Sequence, residues 1–325
     1  MSRENGRPPV HVSIVAGMLS AFAGCAVGPD YVVPEPAVPA GWTSYDERQV
    51  GEPRLDALAD WWKLFDDEVL NELIERAIAA NPDRDLAIAR VREARARFGV
   101  IRAERYPAVS VRSGLSTVET VDLTGETKWR DVYDASFDAS WELDVFGGTK
   151  RSIEAAEAVI EARQADYADV MTSLVAEVAF AYVDMRTLEE RLRLTRASVD
   201  AQERTFDLTR WRTAAGLTTA LDVEQSRANL ESTRAQIPAL ERDLVQTRNK
   251  LAFLSGEEPG GYEERGIAPI AIPVASTNLA IGVPADMLRR RNDIRSAERD
   301  LAAQSARVGL ATASLYPSFR LTGSL

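Results

Sequence analysis

Histidine and cysteine are almost absent from this sequence. The 325 residues contain one histidine, His11, and one cysteine, Cys25, and both lie close to the N-terminus. A zinc site of histidine and cysteine ligands, a disulfide framework and a Ser-His-Asp triad all need residues that the rest of the chain lacks. Acid–base chemistry by paired carboxylates has no support beyond the presence of acids on helix surfaces. We therefore predict that the protein is not an enzyme and holds no metal or other cofactor.

Basic residues are outnumbered by acidic ones. Lys and Arg total 39 and Asp and Glu total 50, which gives a formal net charge of -11. Proteins that bind nucleic acid normally rely on long-range attraction to phosphate, and an acidic chain lacks it. The composition, 45% hydrophobic and 27% charged, is that of a folded protein with a sizeable core. The sequence thus predicts no nucleic-acid partner.

The N-terminus has the features of a lipoprotein signal peptide over residues 1–24. Residues 12–23 form an uncharged apolar run behind Arg3 and Arg7. As a helix this run would span about 18 Å, too short for a bilayer core of about 30 Å. It ends at Ala23-Gly24-Cys25, which resembles a lipobox, so we expect Cys25 to be lipidated. The alternative is a buried cysteine in a leader that is not cleaved.

The next two segments differ in their periodicity. Residues 25–60 are rich in proline and glycine without a sustained period, which predicts an extended linker. Residues 61–106 have helical periodicity that breaks at Asn81-Pro82, which predicts two N-terminal helices.

Residues 107–147 alternate between apolar and polar side chains. The period of two is strongest over 133–145 and is typical of a β-strand. Aromatic residues lie within the apolar set, so we predict a transmembrane β-hairpin with a polar turn near residues 119–131. The alternative is a half-buried strand of a soluble sheet. The acids of the polar set are predicted to face a water-filled lumen, although they could equally be a solvated face without a role in selectivity: Asp134, Asp138, Glu142 and Asp144.

Residues 148–255 predict a long antiparallel helical hairpin. Residues 149–215 contain no glycine or proline and would span about 100 Å as one helix. Two apolar heptad seams, over 185–206 and 237–254, flank a turn at 215–218 and predict coiled-coil packing. We expect Pro238 to interrupt the returning helix and to kink it.

The C-terminal part repeats the beginning of the chain. After a turn-rich linker over 256–283, residues 293–325 match residues 83–115 at an offset of 210, with the same Tyr-Pro pair at 106–107 and 316–317. Internal duplication is the interpretation, and residues 284–325 are then the start of a second repeat. The alternative is a pair of unrelated helices rich in alanine and arginine.

Three motifs are similar to those of one known family. They are AGCAVGPDY at 23–31, WWKLF at 61–65 and LRRRNDI at 288–294. Together they resemble the TolC-type outer-membrane efflux lipoproteins of the OprM and NodT branch. The resemblance implies a mainly α fold with a β-barrel portion, in which each subunit has two repeats of strand–strand–helix–helix. Three subunits close one 12-stranded β-barrel, which an α-helical barrel continues through the periplasm.

The same resemblance implies a function. The expected protein is the outer-membrane channel subunit of a tripartite efflux or secretion system, lipid-anchored in the outer membrane and extending into the periplasm. It would form a homotrimer when complete and passively conduct substrates from an inner-membrane RND-type pump and a periplasmic membrane-fusion adaptor. The adaptor contact that the resemblance implies is the hairpin tip, formed by Gly216, Leu217, Thr218 and Thr219.

Two alternatives concern these expectations. The tip residues also fit a plain turn with capping residues. A periplasmic coiled-coil lipoprotein that acts as a scaffold without a pore would share the hairpin, but it has no need of the aromatic alternation over 133–145.

The repeat offset also gives an expectation about length. Adding 210 to residue 255 places the end of a second repeat near residue 465, beyond Leu325. We therefore expect the second repeat to be incomplete here and this form to be unable to conduct alone, because an open sheet in lipid leaves edge groups unpaired. The alternative is a short family member with another architecture.

Lipidation gives the first testable prediction. Replacing Cys25 with serine should abolish incorporation of a palmitate analogue in growing cells, because the modification needs the thiol. The unsubstituted chain, labelled in parallel, is the control. Equal labelling of the two forms would contradict the lipobox interpretation.

Overall fold

The computed structural model describes residues 26–35, 38, 60–121, 125–260, 271–274 and 284–325. The predicted signal peptide, Cys25 and most of both predicted linkers lie outside these residues. The described chain is mainly helical with one small sheet, which confirms the predicted mainly α class. It divides into two compact units.

The elements follow one another in a simple order. A 3-10 helix covers Trp61–Phe65, and the remaining elements are α1 (Glu68–Ala80), α2 (Pro82–Ala103), β1 (Ala108–Val121), β2 (Thr127–Leu143), α3 (Gly148–Ala214), α4 (Ala220–Arg234), α5 (Ile237–Leu254), α6 (Pro284–Arg290), α7 (Asn292–Ala313) and β3 (Phe319–Ser324). No helix in the described ranges is long and apolar enough to cross a bilayer.

The first compact unit, here the strand unit, contains the sheet. It comprises the described parts of Met1–Ala37, Ile88–Asp166 and Arg289–Leu325. The three strands are antiparallel in the order β1-β2-β3. β1 and β2 pair without a bulge from Ala108 opposite Ser140 to Val121 opposite Thr127.

The strands are longer at one end than the sequence predicts. The predicted turn over 119–131 is wrong in extent, because β1 continues to Val121 and β2 begins at Thr127. The residues there, which include Thr120 and Val121, are β-branched and suit a pleated backbone, so the ladder continues through them. At the other end β2 stops at Leu143, two residues before the predicted end.

The second compact unit, here the hairpin unit, contains the helical hairpin. It comprises the described parts of Val38–Ala87 and Tyr167–Leu288. The heptad positions of α3 and α5 are buried in its core, as their spacing predicts, and the side chains include Met185, Leu188, Leu192, Leu244, Leu251 and Leu254. One face of α1 completes this core with Leu70, Leu73, Ile74 and Ala77.

The returning arm of the hairpin is interrupted, and not merely kinked. α4 ends at Arg234 and α5 begins at Ile237. Pro238 therefore lies in the first turn of a new helix, where its missing N–H would have had no partner in any case. The expected kink becomes a break just before the proline, for this reason.

A buried polar network ties α1 to α3. One carboxylate oxygen of Asp67 accepts hydrogen bonds from the backbone N–H groups of Val69 and Leu70, at 2.9 and 3.1 Å. The other oxygen accepts from the Tyr182 hydroxyl at 2.7 Å, and the same hydroxyl accepts from Nε of Arg186 at 3.2 Å. Burial, followed by the Asp67 hydrogen bond, raises the pKa of Tyr182. Asp67 thus serves as a helix cap and as a long-range partner at once.

This double role gives a prediction for stability. Replacing Asp67 with alanine should lower the free energy of unfolding by about 2–4 kcal/mol, because a cap is lost and a buried hydroxyl loses its acceptor. Urea titration followed by helical circular dichroism measures the change. In a Tyr182→Phe background the same substitution should cost about 1 kcal/mol less, since the two groups are coupled.

The matched control is Asp60→Ala, which removes an exposed carboxylate that pairs with Lys63 on the surface. It should change the free energy by no more than about 0.5 kcal/mol. Similar losses for the two alanine variants would contradict the role assigned to Asp67.

Candidate functional site

The sheet of the strand unit has one apolar face. Tyr133 lies opposite Leu115 in the β1–β2 register, and Phe137 lies opposite Val111. These side chains are exposed, with 77% of Tyr133 accessible. An apolar sheet face that is exposed from Tyr133 to Ala139 needs a covering that the described chain does not supply.

The apolar face ends at a polar pair. Thr117 lies opposite Asp131 on this face, and its hydroxyl donates to the carboxylate at 2.8 Å. At the other end the indole N–H of Trp141 donates to the backbone oxygen of Arg105 at 3.0 Å. The apolar band therefore covers β2 from residue 133 to residue 143, about the 9–11 residues that a strand needs to cross a bilayer.

The opposite face of the sheet is polar and carries three of the four predicted lumen acids. Asp134 lies opposite Gly114, and Asp138 lies between Ser110 and Ser324. Glu142 lies opposite Arg320, whose guanidinium approaches its carboxylate to 3.2 Å. Sequence reasoning missed this ion pair because the register of β3 against β2 cannot be read from β3 alone.

Asp144 has a different position from the other three acids. It lies beyond the end of β2, so the strand alternation does not extend to it. Its carboxylate accepts hydrogen bonds from the backbone N–H groups of Thr149 and Lys150, at 3.1 and 2.8 Å. A negative charge is favourable at a helix N-terminus, so Asp144 stabilises the start of α3.

The second candidate surface is the tip of the hairpin. Gly216 has a φ of 73°, and its position after α3 is the one where glycine commonly ends a helix. The N–H of Leu217 donates to the oxygen of Arg212 at 2.9 Å. The hydroxyls of Thr213 and Thr218 are 2.7 Å apart and join the end of α3 to the turn.

A capping box begins the returning arm. The Thr219 hydroxyl accepts from the N–H of Asp222 at 3.3 Å, and the Asp222 carboxylate accepts from the N–H of Thr219 at 2.8 Å. The hydrogen bond from this backbone lowers the pKa of Asp222. The predicted tip residues Gly216 to Thr219 therefore lie together in one short, well-bonded turn.

Apolar side chains surround this turn. Leu217 is 70% exposed, Trp211 is 71% exposed, and Leu221 is similarly open. Sequence reasoning did not identify Trp211 as part of the tip. The available signal was its position outside the heptad seam, since a tryptophan off the buried seam of a coiled coil lies on the surface.

These two surfaces offer contacts and no evident chemistry. Within the residues that the structure describes, no group of three or more His, Cys, Asp and Glu side chains could hold a metal ion. The sheet pairs an apolar face with a polar one, and the tip combines a rigid turn with exposed apolar side chains.

Comparison with known proteins places this geometry in a family. The profile described as "Outer membrane efflux protein" matches residues 73–257, which include most of the sheet and the entire hairpin. The chain belongs to the outer membrane efflux protein family. This result confirms the resemblance drawn from the motifs at 23–31, 61–65 and 288–294.

Several members of the outer membrane efflux protein family are similar over most of this chain. "Nodulation protein T" of Rhizobium leguminosarum bv. trifolii is 33% identical over 306 residues, covering 94% of this chain and 64% of its own length. "Probable outer membrane lipoprotein SilC" of Salmonella typhimurium is 33% identical over 316 residues, with 94% and 65% covered. The chain therefore spans less than two thirds of the length of these relatives.

A solved structure of the outer membrane efflux protein family has the same fold. The outer-membrane channel OprN superposes with a TM-score of 0.78 at 34% sequence identity, and the match covers 93% of this chain and 67% of that one. This chain therefore matches the profile of outer membrane efflux proteins and has the fold of an outer-membrane channel.

Proposed function

We propose that this protein is an outer-membrane channel subunit of a tripartite efflux system. The observation that carries the proposal is the two-faced sheet, with an apolar band of bilayer height on one side and acids on the other. Family membership and the channel structure of OprN support it. Substrates would pass by diffusion, because neither surface offers a means of driving them.

The apolar band is proposed to face lipid. Tyr133, Phe137 and Trp141 alternate with polar residues along β2, and their neighbours Leu115, Val111 and Leu321 continue the band across the sheet. Aromatic side chains near both ends of such a band are typical of proteins at membrane–water interfaces. The strands would then be transmembrane strands.

The polar face is proposed to line a water-filled lumen. Asp134 and Asp138 would give this lumen its negative charge, whereas Arg320 neutralises much of the charge of Glu142. Rings of carboxylates favour cations in open pores. The proposed preference for cations is therefore weaker than the four acids in the sequence alone imply.

Helix bounds support the proposed internal repeat. α2 covers Pro82–Ala103 and α7 covers Asn292–Ala313. The two helices therefore begin 210 residues apart and also end 210 residues apart. Each helix leads into a strand that belongs to the same sheet.

An exposed stripe on α3 supports assembly as a homotrimer with helices packed side by side. Phe180, Leu194 and Leu208 are exposed and are separated by 14 residues, or two heptads. Residues at such spacing lie on one face of a supercoiled helix, so they would form a second seam on the side away from α5. Neighbouring subunits are the proposed partners of this seam.

The hairpin tip is proposed to contact a periplasmic membrane-fusion adaptor, which would join the channel to an inner-membrane RND-type pump. The rigid turn from Gly216 to Thr219 and the exposed side chains of Trp211 and Leu221 support a docking role. Lipid attachment at Cys25, outside the described residues, is part of the same proposal. It is supported by the relative SilC, whose name describes it as a probable outer membrane lipoprotein.

A scaffold without a pore explains less of the molecule. The hairpin serves a scaffold equally well, but the apolar face around Phe137 would then have to remain in water. Exposed apolar patches of this extent are uncommon on soluble monomers.

Membrane insertion of the sheet can be tested with one pair of variants. Phe137→Arg should impair insertion, because a charge at the middle of the lipid-facing side costs about 2–4 kcal/mol. Ser140→Arg places the same charge on the polar face beside Asp138 and Glu142, and it should have little effect. Carbonate extraction of both variants, in a Cys25→Ser background that removes any acyl anchor, measures insertion. Equal extraction of the two would contradict a lipid-facing band.

Adaptor docking can be tested at the tip. A photo-crosslinking residue at Thr218 should capture the adaptor in cells that contain the complete efflux system, because this side chain lies in the exposed turn. The same residue at Arg97, on the surface of α2 in the strand unit, should not capture it. Absence of an adaptor adduct from Thr218 would contradict docking at the tip.

A further inference from the structure

Residues 26–31, here the N-terminal strap, are attached to the strand unit by contacts with both α3 and α7. The strap's Val27 N–H donates to the backbone oxygen of Phe146, just before α3, at 3.1 Å. The hydroxyl of Tyr31 donates to the Glu298 carboxylate of α7 at 3.0 Å. Both ends of this segment, which is rich in glycine and proline, thus contact residues that are far away in the sequence.

Arg151 of α3 lies at the centre of these contacts. Its side chain is almost fully buried, with 3% of the residue exposed. Its Nε donates to the oxygen of Val27 at 3.2 Å, and its Nη2 donates to the oxygen of Gly28 at 3.3 Å and to the Asp30 carboxylate at 2.8 Å. The remaining nitrogen, Nη1, binds Glu154 at 2.8 Å. The guanidinium therefore recognises two carbonyl groups and one carboxylate of the strap.

Glycine is required where the strap crosses α7. Gly28 has a φ of 91°, and a Cβ placed there would lie 2.4 Å from the Cα of Gly309. A Cβ on Gly309 would in turn lie 2.9 Å from Cδ and Nε of Arg151. Both glycines allow backbone and guanidinium to approach closely, so the site selects the strap by shape as well as by charge.

Tyr31 makes a second set of contacts at the end of the strap. Its ring packs against a cluster formed by Ala158, Ala302 and Ala303, and the guanidinium of Arg299 lies 5.6 Å from the ring centre. Burial, followed by the hydrogen bond to Glu298, raises the pKa of the Tyr31 hydroxyl. This contact prevents the far end of the strap from lifting away from α7.

We propose that α3 and α7 form an intramolecular binding site for the N-terminal strap and that Arg151 is its positioning residue. The consequence rests on the proposed lipid anchor, because residue 26 directly follows Cys25 in the chain. The site holds residue 26 beside the strand-to-helix junction at Phe146. An acyl anchor would thereby be coupled to the sheet end by one residue, and not by a free linker.

The desolvated charge of Arg151 explains why the strap stays bound. The guanidinium of Arg151 has four hydrogen-bond acceptors, and three of them belong to the strap. Without the strap, Glu154 alone of these four would remain. Release of the strap would leave these N–H groups either exposed to water or buried without acceptors. Buried donors without acceptors are unfavourable. Binding of the strap and burial of Arg151 therefore occur together.

Hydrogen exchange of the full-length chain in detergent tests the site. In the unsubstituted protein, the peptide that covers the strap should be protected at the amide of Val27, which donates to the oxygen of Phe146. Arg151→Met keeps the aliphatic length and removes all four hydrogen bonds, so exchange of this segment should accelerate at least tenfold. Arg97→Met, which removes an exposed ion pair with Glu93 on α2, is the matched control and should leave the segment unchanged.

Two further variants separate recognition from general destabilisation. Gly28→Ala should release the strap while Arg151 remains in place, and exchange in α3 beyond residue 167 should stay as slow as before. Asp30→Asn should accelerate exchange of the strap several-fold alone but not in the Arg151→Met background, because Asp30 acts through Arg151. If Arg151 had a merely structural role, the changes in exchange rate caused by Asp30→Asn and by Arg151→Met would instead be additive.

The proposal is overturned if the amide of Val27 exchanges freely in the unsubstituted protein, or if Arg151→Met and Gly28→Ala leave its exchange unchanged. The same measurements in a Cys25→Ser background separate this proposal from the lipid anchor. Protection that persists there supports the strap even if no acyl chain is ever attached. If the unsubstituted protein incorporates no palmitate analogue while the strap remains protected, only the lipid anchor is overturned.

Discussion

The unbroken backbone of α3 is the constraint on which most of this structure depends. The helix runs for 67 residues from Gly148 to Ala214 without a glycine or proline after its first residue. Several other features each use a particular stretch of it: Asp144 caps its start, the strap binds Arg151, the polar network uses Tyr182 and Arg186, and Gly216 ends it. In proteins most helical stability comes from tertiary packing and not from local hydrogen bonds, so these stretches rely on partners from elsewhere in the chain.

Surfaces without partners are as informative as the packed ones. The apolar band of the sheet and the stripe from Phe180 to Leu208 are both exposed, and both have regular spacing. On the proposed function, each regular spacing fits an extended partner of matching geometry: a bilayer for the period of two, and further helices for the period of seven. The same chain would then combine two kinds of assembly surface, each encoded by its own period.

Features that depend on local periodicity could be predicted from the sequence, and features that depend on distant contacts could not. The heptad positions around Met185 and Leu251 and the turn at Gly216 follow from spacing and glycine placement. The extension of β1 and β2 toward their turn and the break before Pro238 differ from expectation by a few residues, because strand pairing and helix ends are decided by tertiary contacts. The pair of Arg320 with Glu142 joins residues 178 positions apart, and Arg151 and Asp30 are 121 apart. No local pattern encodes such pairs.

Two buried arginines show how a long helix can keep one register. Arg151 and Arg186 are 3% and 1% exposed, and each binds a glutamate three residues further along α3, Glu154 and Glu189. They differ in their other partners. Arg151 binds the strap, whereas Arg186 donates to the hydroxyl of Tyr182 on α3 itself, and that hydroxyl donates to the distant carboxylate of Asp67.

An apolar heptad seam alone tolerates a shift of seven residues, because each shift again places apolar side chains opposite one another. The guanidinium of Arg151 does not tolerate it, since its donors would lose strap acceptors that exist at one position only, and the Tyr182 hydroxyl held by Arg186 would likewise lose Asp67. Such buried charges add little net stability, because burying a charge is costly. We infer that their contribution is to specify alignment: the seam determines that α3 packs against its neighbours, and the contacts of Arg151 with the strap and of Tyr182 with Asp67 determine where along its length it does so.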